Sequence, residues 1–129
     1  MSTIPVILTI AGSDCSGGAG IQADIKTISA LKGYAASVIT AVTAQNTTGV
    51  QAVYPIPPDI VRAQIISVTD DLQPAAIKIG MVHNAAIVHT IAECLQKYRS
   101  RFVVYDPVMV STSGRKLMTE DTVCAIQNE

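Results

Sequence analysis

Short apolar runs rich in β-branched residues alternate along this chain with segments whose apolar residues recur every three or four positions. That alternation limits the fold more than any other feature of the sequence. Residues 4–11 are almost continuously apolar and close at Gly12, as expected of a strand covered on both faces. After a Gly/Ser/Asp loop, Ile21, Ile25, Ile28 and Leu31 stripe one face of a predicted helix ending near Gly33. Residues 37–44 read as a second strand and 49–54 as a third, short edge strand, with the polar stretch 45–48 between them. Pro57 and Pro58 open a second helix with Val61, Ile65, Val68 and Leu72 on one face. Residues 76–81 form a further predicted strand, and Asn84 caps a helix striped by Ile87, Val88, Ile91 and Leu95. Residues 102–105 make another strand, closing at Asp106-Pro107, and residues 119–128 start a last helix. Parallel neighbours need crossover helices, so the predicted fold class is α/β, with a mainly parallel central sheet and helices on both faces. No strand follows the last helix to receive its crossover. Residues 1–129 are therefore expected to be the N-terminal part of a single domain, incomplete at its C-terminus.

Composition narrows the function classes. Apolar residues make up 49% of the chain and charged ones 15%, which is core-forming material and excludes disorder. A net charge of −1 provides no basic field for nucleic acid, and Lys97, Arg99 and Arg101 read as cations complementing a helix C-terminus. Cys15, Cys94 and Cys124 are far apart and odd in number, which indicates neither a disulfide frame nor a zinc site and suits a reducing cytoplasm. The apolar opening lacks a basic leader and a small-residue cleavage site, so it is expected to be a strand and not a signal peptide. No apolar run approaches membrane-spanning length. His83 and His89 do not share a helical face and make no metal pair.

Ligands of open α/β sheets gather beyond the carboxyl ends of the strands. Four segments there are polar: residues 12–20, 45–48, 80–81 and 106–109. The first carries Gly12, Gly17, Gly18 and Gly20, which opens backbone amides at a helix N-terminus to an anion or a polar ring. It is not a P-loop, because Gly18 and Ala19 stand where the lysine and hydroxyl would be. Gly18-x-Gly20-x-x-Ala23 meets the dinucleotide pattern, so an NAD-binding oxidoreductase is one alternative. The second strand, however, ends in Thr43-Ala44-Gln45-Asn46, without the acid that a ribose requires. Taken singly, Asp14 and Asp24 also suit acids at a helix start, Gln45 and Asn46 a turn with Thr47, Met81 a core, and Asp106 an extended turn before Pro107. Cys15 has no histidine near it in sequence and reads as a loop residue, not a nucleophile.

Together, Ile10-Ala-Gly-Ser-Asp-Cys-Ser-Gly-Gly-Ala-Gly-Ile-Gln-Ala-Asp24, Val38-Ile-Thr-Ala41 with Ala44-Gln-Asn-Thr47, Lys78-Ile-Gly-Met81 and Asp106-Pro-Val-Met109 resemble the hydroxymethylpyrimidine/phosphomethylpyrimidine kinase family. The resemblance implies a ribokinase-like fold and two successive ATP-dependent phosphorylations in thiamine synthesis. The first acts on the hydroxymethyl group of 4-amino-5-hydroxymethyl-2-methylpyrimidine and the second on the resulting monophosphate. By the same resemblance, Gly12, Asp24, Gln45, Met81 and Val108 form the pyrimidine pocket. Gln45 offers both a donor and an acceptor to a ring nitrogen and an exocyclic amine, and Met81 and Val108 are apolar cover for a ring face. Asp106 would lie near the phosphates, helping to hold Mg²⁺ or a monovalent cation directly or through water. The family keeps its catalytic residues, nucleotide pocket and anion hole in its C-terminal half. No glycine follows Gly114 to build that hole, so no catalytic residue is expected within this chain and the segment alone is expected not to turn over. Pyridoxal kinases share the fold and are the alternative kinase reading, and a non-catalytic binding module is a third. Homo-oligomerisation is implied by the family only, and neither nucleic acid nor membrane is an expected partner. Cys15 stands where many relatives have proline or serine, a departure that leaves the glycines in place.

Overall fold

Four of the apolar runs become parallel strands because each of the three connections between them carries a helix that returns the chain to the same end of the sheet. A computed structural model describes residues 3–111, 113, 114 and 116–128. Strand β1 (Val6–Ala11) leads through helix α1 (Gly20–Ala30) to β2 (Tyr34–Ile39). A hairpin of β3 (Ala41–Asn46) and β4 (Gly49–Pro55) precedes α2 (Pro58–Leu72), followed by β5 (Ala76–Ile79), α3 (Ala85–Lys97), β6 (Phe102–Tyr105) and α4 (Glu120–Asn128). The main sheet has the order β2-β1-β5-β6, all parallel, and the hairpin forms a separate two-stranded antiparallel sheet.

Side-chain alternation divides the sheet into two differently used faces. Leu8, Ile10, Ala36, Val38, Ile77 and Ile79 point to one face and build the core with Val61 and Ile65 of α2 and Ile87, Val88 and Ile91 of α3. Leu8, Ile10 and Val38 are fully buried, each contributing roughly 1.5–3 kcal/mol of apolar transfer. Thr9 and Lys78 point to the opposite face, where α1 lies and where both meet Asp24. Helices thus cover both faces, as the alternation predicts. At the far edge, β6 has the apolar sequence of a covered strand, yet Phe102 and Val104 are exposed and its outer edge is unpaired among the described residues.

Two expectations change in the structure. The run at residues 37–44 is not one strand, because it breaks at Thr40. There the Gln64 side-chain amide bonds both Ile39 backbone groups, Thr40 N–H donates to Ala11 O, and Ile56 N–H donates to Thr40 O. These bonds satisfy the backbone as it leaves the parallel sheet, so residues 41–46 pair with β4 instead. The expected edge strand at residues 49–54 is accordingly an arm of the hairpin, not an edge of the main sheet.

The first helix also ends earlier than its stripe suggests. Gly33 N–H donates to Ile28 O and Lys32 N–H to Ser29 O, a Schellman closure that turns Leu31 outward to 78% exposure. The left-handed position is Lys32, at φ 65°, and not Gly33. Lys32→Gly is therefore expected to stabilise the chain by about 1 kcal/mol, seen as a rise in the urea midpoint at unchanged slope. By contrast, Asn84 caps α3 as predicted, its side-chain oxygen accepting from Ile87 N–H at 3.0 Å.

Candidate active site

The glycine loop is organised by an acid that the chain itself supplies. Asp14 is buried, and its carboxylate accepts from Ser16 N–H and Ser16 Oγ on Oδ1 and from Gly18 N–H and Ala19 N–H on Oδ2, at 2.7–3.0 Å. Burial alone would raise its pKa, but the bonds from Ser16, Ala19 and Gly18 outweigh burial and hold it below the usual carboxylate value. Ala19, the N-cap of α1, has no capping side chain; the Asp14 carboxylate instead holds the Gly18 and Ala19 amides just ahead of the helix, while Ile21 N–H donates to Gly12 O. Gln22, in the first turn, returns the contact by accepting from Asp14 N–H at 2.7 Å. The amides of Gly18 and Ala19, expected from sequence to be open to an anion, are thus already occupied. The same occupation removes the cradle a dinucleotide pyrophosphate needs, which disposes of the oxidoreductase alternative.

The loop is then fastened to β3. Ser13 N–H donates to Ala41 O, Thr43 N–H to Ser13 Oγ and Thr43 Oγ1 to Ser13 O. The Cys15 thiol donates to Gln45 O at 2.9 Å, and Gln45 N–H donates to Cys15 Sγ at 3.2 Å. Between Ala44 and Gln45 the hairpin register shifts, and such an irregularity re-aims a side chain. Thr43 Oγ1 contacts Gln45 Oε1 at 3.3 Å, while Asn46 and not Gln45 makes the turn, its Oδ1 accepting from Thr48 and Gly49.

These contacts bring all the segments singled out from sequence into one cleft of about 280 Å³. Gly12, Asp24, Gln45, Met81, Asp106 and Val108 all line it, joined by Ser13, Asp14, Thr43 and Lys78. Gly12 makes room for Met81: a Cβ there would overlap the Met81 methyl group and push that side chain aside. Met81 packs with Ala41, Leu117 and Val108 to give the cleft its apolar wall. Asp106 is exposed, its N–H donating to Ile79 O at 2.8 Å.

Asp24 is not the helix-start acid that its position alone allows. It faces the sheet, and its Oδ2 accepts from Thr9 Oγ1 at 2.6 Å and Lys78 Nζ at 2.9 Å. Lys78 had no assigned role in the sequence. Its signal was available, since a lysine inside the apolar strand Ala76–Ile79 requires a charged partner.

Among the described residues, no three His, Cys, Asp or Glu side chains are gathered to hold a metal ion. A divalent cation at Asp106 would therefore take most of its ligands from phosphate and water, the ordinary state of Mg²⁺ on a nucleotide. A larger hollow of about 410 Å³ between β5, β6, α3 and α4 is lined by Ile79, Val82, Ile91, Leu95 and other mainly apolar residues. It lacks the converging polar groups of a reaction site. No helix among the described residues is long and apolar enough to cross a membrane.

A family model described as phosphomethylpyrimidine kinase matches residues 14–129. The hydroxymethylpyrimidine/phosphomethylpyrimidine kinase of Escherichia coli (strain K12) is 53% identical over 121 residues, covering 94% of this chain and 46% of the relative. The crystal structure of phosphomethylpyrimidine kinase from Clostridium difficile 630 matches with a TM-score of 0.89 at 51% identity, covering 95% of this chain and 53% of that one. A pyridoxal kinase from Staphylococcus aureus in complex with AMP-PCP and pyridoxal matches with a TM-score of 0.75 at 36% identity, covering 83% of this chain and 40% of its own. The chain spans about half the length of the E. coli relative it matches.

Proposed function

The chain belongs to the phosphomethylpyrimidine kinase family, and from that membership we propose that the protein carrying it phosphorylates a pyrimidine alcohol with ATP. The acceptor is the hydroxymethyl group of 4-amino-5-hydroxymethyl-2-methylpyrimidine, and then the monophosphate so formed. The observation that carries this reading is the convergence of Gly12, Asp24, Gln45, Met81 and Val108 on one cleft at the carboxyl ends of the strands.

Each of these residues has a physical task toward a flat, amine-bearing ring. Gln45 donates to a ring nitrogen and accepts from the amine, while Met81 and Val108 cover the ring and exclude water. The absent side chain of Gly12 leaves room for the Met81 methyl group, which lets Met81 lie against the end of β1 as part of the wall a ring packs on. Asp106, at the exposed end of β6, would hold Mg²⁺ directly or through water, and the ion supplies neutralisation of phosphate charge when bound. A monovalent cation suits the same carboxylate. The segments that bind ATP and stabilise the migrating phosphoryl group lie outside these residues. Three free cysteines suit a cytoplasmic setting, and a homo-oligomer is the assembly that family membership favours.

The gene product containing these residues is expected to release ADP in a coupled assay when given the pyrimidine alcohol. Gln45→Ala is expected to raise KM for that alcohol about tenfold, the measure of a lost bidentate polar contact, with KM for ATP unchanged. Equal loss of both would remove Gln45 from the pyrimidine pocket.

A further inference from the structure

Beneath the cleft, three residues from three elements share one carboxylate oxygen. Asp24 Oδ2 accepts from Thr9 of β1 at 2.6 Å and from Lys78 of β5 at 2.9 Å, while Oδ1 has no protein partner among the described residues. The side chains of Lys78 and Asp24 are only 26% and 20% exposed, and both line the cleft with Gln45. Lys78 reaches Asp24 by folding its ammonium over Gly80, where a Cβ would come within 2.8 Å of Nζ and 2.9 Å of Ala11 Cβ. Just after β5 the chain therefore carries no side chain where the ammonium crosses close to Ala11.

We propose that Lys78 is a positioning residue that selects the ligand through Asp24. By tying Oδ2 to the sheet, it fixes the carboxylate so that Oδ1 is presented to the cleft as a bare acceptor. A bare carboxylate oxygen attracts an N–H donor and repels an oxygen anion. The site therefore favours a heteroaromatic alcohol with an exocyclic amine over one that carries a phenolate at that position, as pyridoxal does once its ring hydroxyl has ionised. This rests on the pyrimidine-kinase reading and adds to it a residue and a basis for choosing between rings.

A partly buried lysine that only supported the fold would change stability and leave ligand choice alone. The test is made on the gene product containing this chain, with the 4-amino pyrimidine alcohol, its analogue bearing hydrogen in place of the amine, and pyridoxal as probes. Lys78→Met keeps the apolar stem, and Lys78→Gln is the second variant should the first not fold. Either is expected to raise KM for the 4-amino compound about tenfold, to leave KM for ATP and for the des-amino analogue within about twofold, and to narrow the preference over pyridoxal. In a double-mutant cycle, adding Asp24→Ala to Lys78→Met is expected to cost little beyond Asp24→Ala alone, because both act on one contact. Equal losses for the amino and des-amino compounds, or additive effects of the two substitutions, would overturn the proposal and leave the function standing. A wild-type protein that ignores all three probes yet folds would overturn the function itself.

Discussion

Asp14→Ala is expected to destabilise the chain by about 3 kcal/mol, as measured by urea unfolding, and to weaken pyrimidine binding through the loop it disorganises. The substitution removes an acceptor from four donors at once, three of them backbone N–H groups in the loop that leads into α1. Hydrogen bonds to an ionised acceptor are worth more than neutral ones, but Ser16, Gly18 and Ala19 are exposed enough for water to replace part of the loss. That exposure keeps the expected cost well below the sum of four bonds. Asp14→Asn isolates the geometry. An asparagine has one carbonyl oxygen, so whichever donor pair it serves, its NH₂ group confronts the other, and about half the alanine cost is expected.

The same residue gives the chain an acid-dependent stability with a definite sign. Because the folded carboxyl sits below its ordinary value of 3.8, its contribution is fully present above that value and is lost as pH falls through the folded one. Wild type is thus expected to lose stability below about pH 4 more steeply than Asp14→Asn, which has no proton to gain there. Parallel acid profiles for the two proteins would show that the loop is held by something else.

Much of this architecture is legible locally. The stripes of α2 and α3, the Asn84 cap and the β-branched strands follow from spacings of a few residues, and the structure follows them. The candidate site was legible by a different route, since Gly12, Gln45, Met81 and Asp106 each sit directly after an apolar run or at its end, where sheet ligands gather. What the sequence does not display are decisions made by partners distant along the chain. The break at Thr40 depends on Gln64, 24 residues away, and nothing in residues 37–44 marks it. The Asp24–Lys78 pair spans 54 residues and joins a helix to a strand across a sheet face. Asp14 was visible as an acid near a helix start, but that it would fill the amides meant for a ligand depends on how residues 14–19 fold back.

Gly20→Ala is expected to be the most damaging single change among those considered, at about 3–5 kcal/mol. Gly20 opens α1 with φ at +56°, a left-handed position that costs an L-residue roughly 1–2 kcal/mol by itself. Space adds to that strain, because a Cβ on Gly20 would overlap the carbonyl oxygen of Gly12 and lie 3.2 Å from its carbon. That carbonyl accepts from Ile21 N–H at 3.0 Å, so it cannot withdraw without giving up the bond that sets the helix against the end of β1. Neither obstacle is a flexible side-chain tip, and relief requires moving the junction that carries both Gly12 and Asp14. Gly114 provides the control, since it has φ +88° but nothing among the described residues within 4 Å of its would-be Cβ. Gly114→Ala should therefore show the backbone cost alone, about 1–2 kcal/mol. With a domain stability of order 5–15 kcal/mol, the Gly20 variant should melt far below wild type while the Gly114 variant melts a few degrees lower. Similar midpoints for the two would mean that the close approach of α1 to Gly12 does not constrain the cleft.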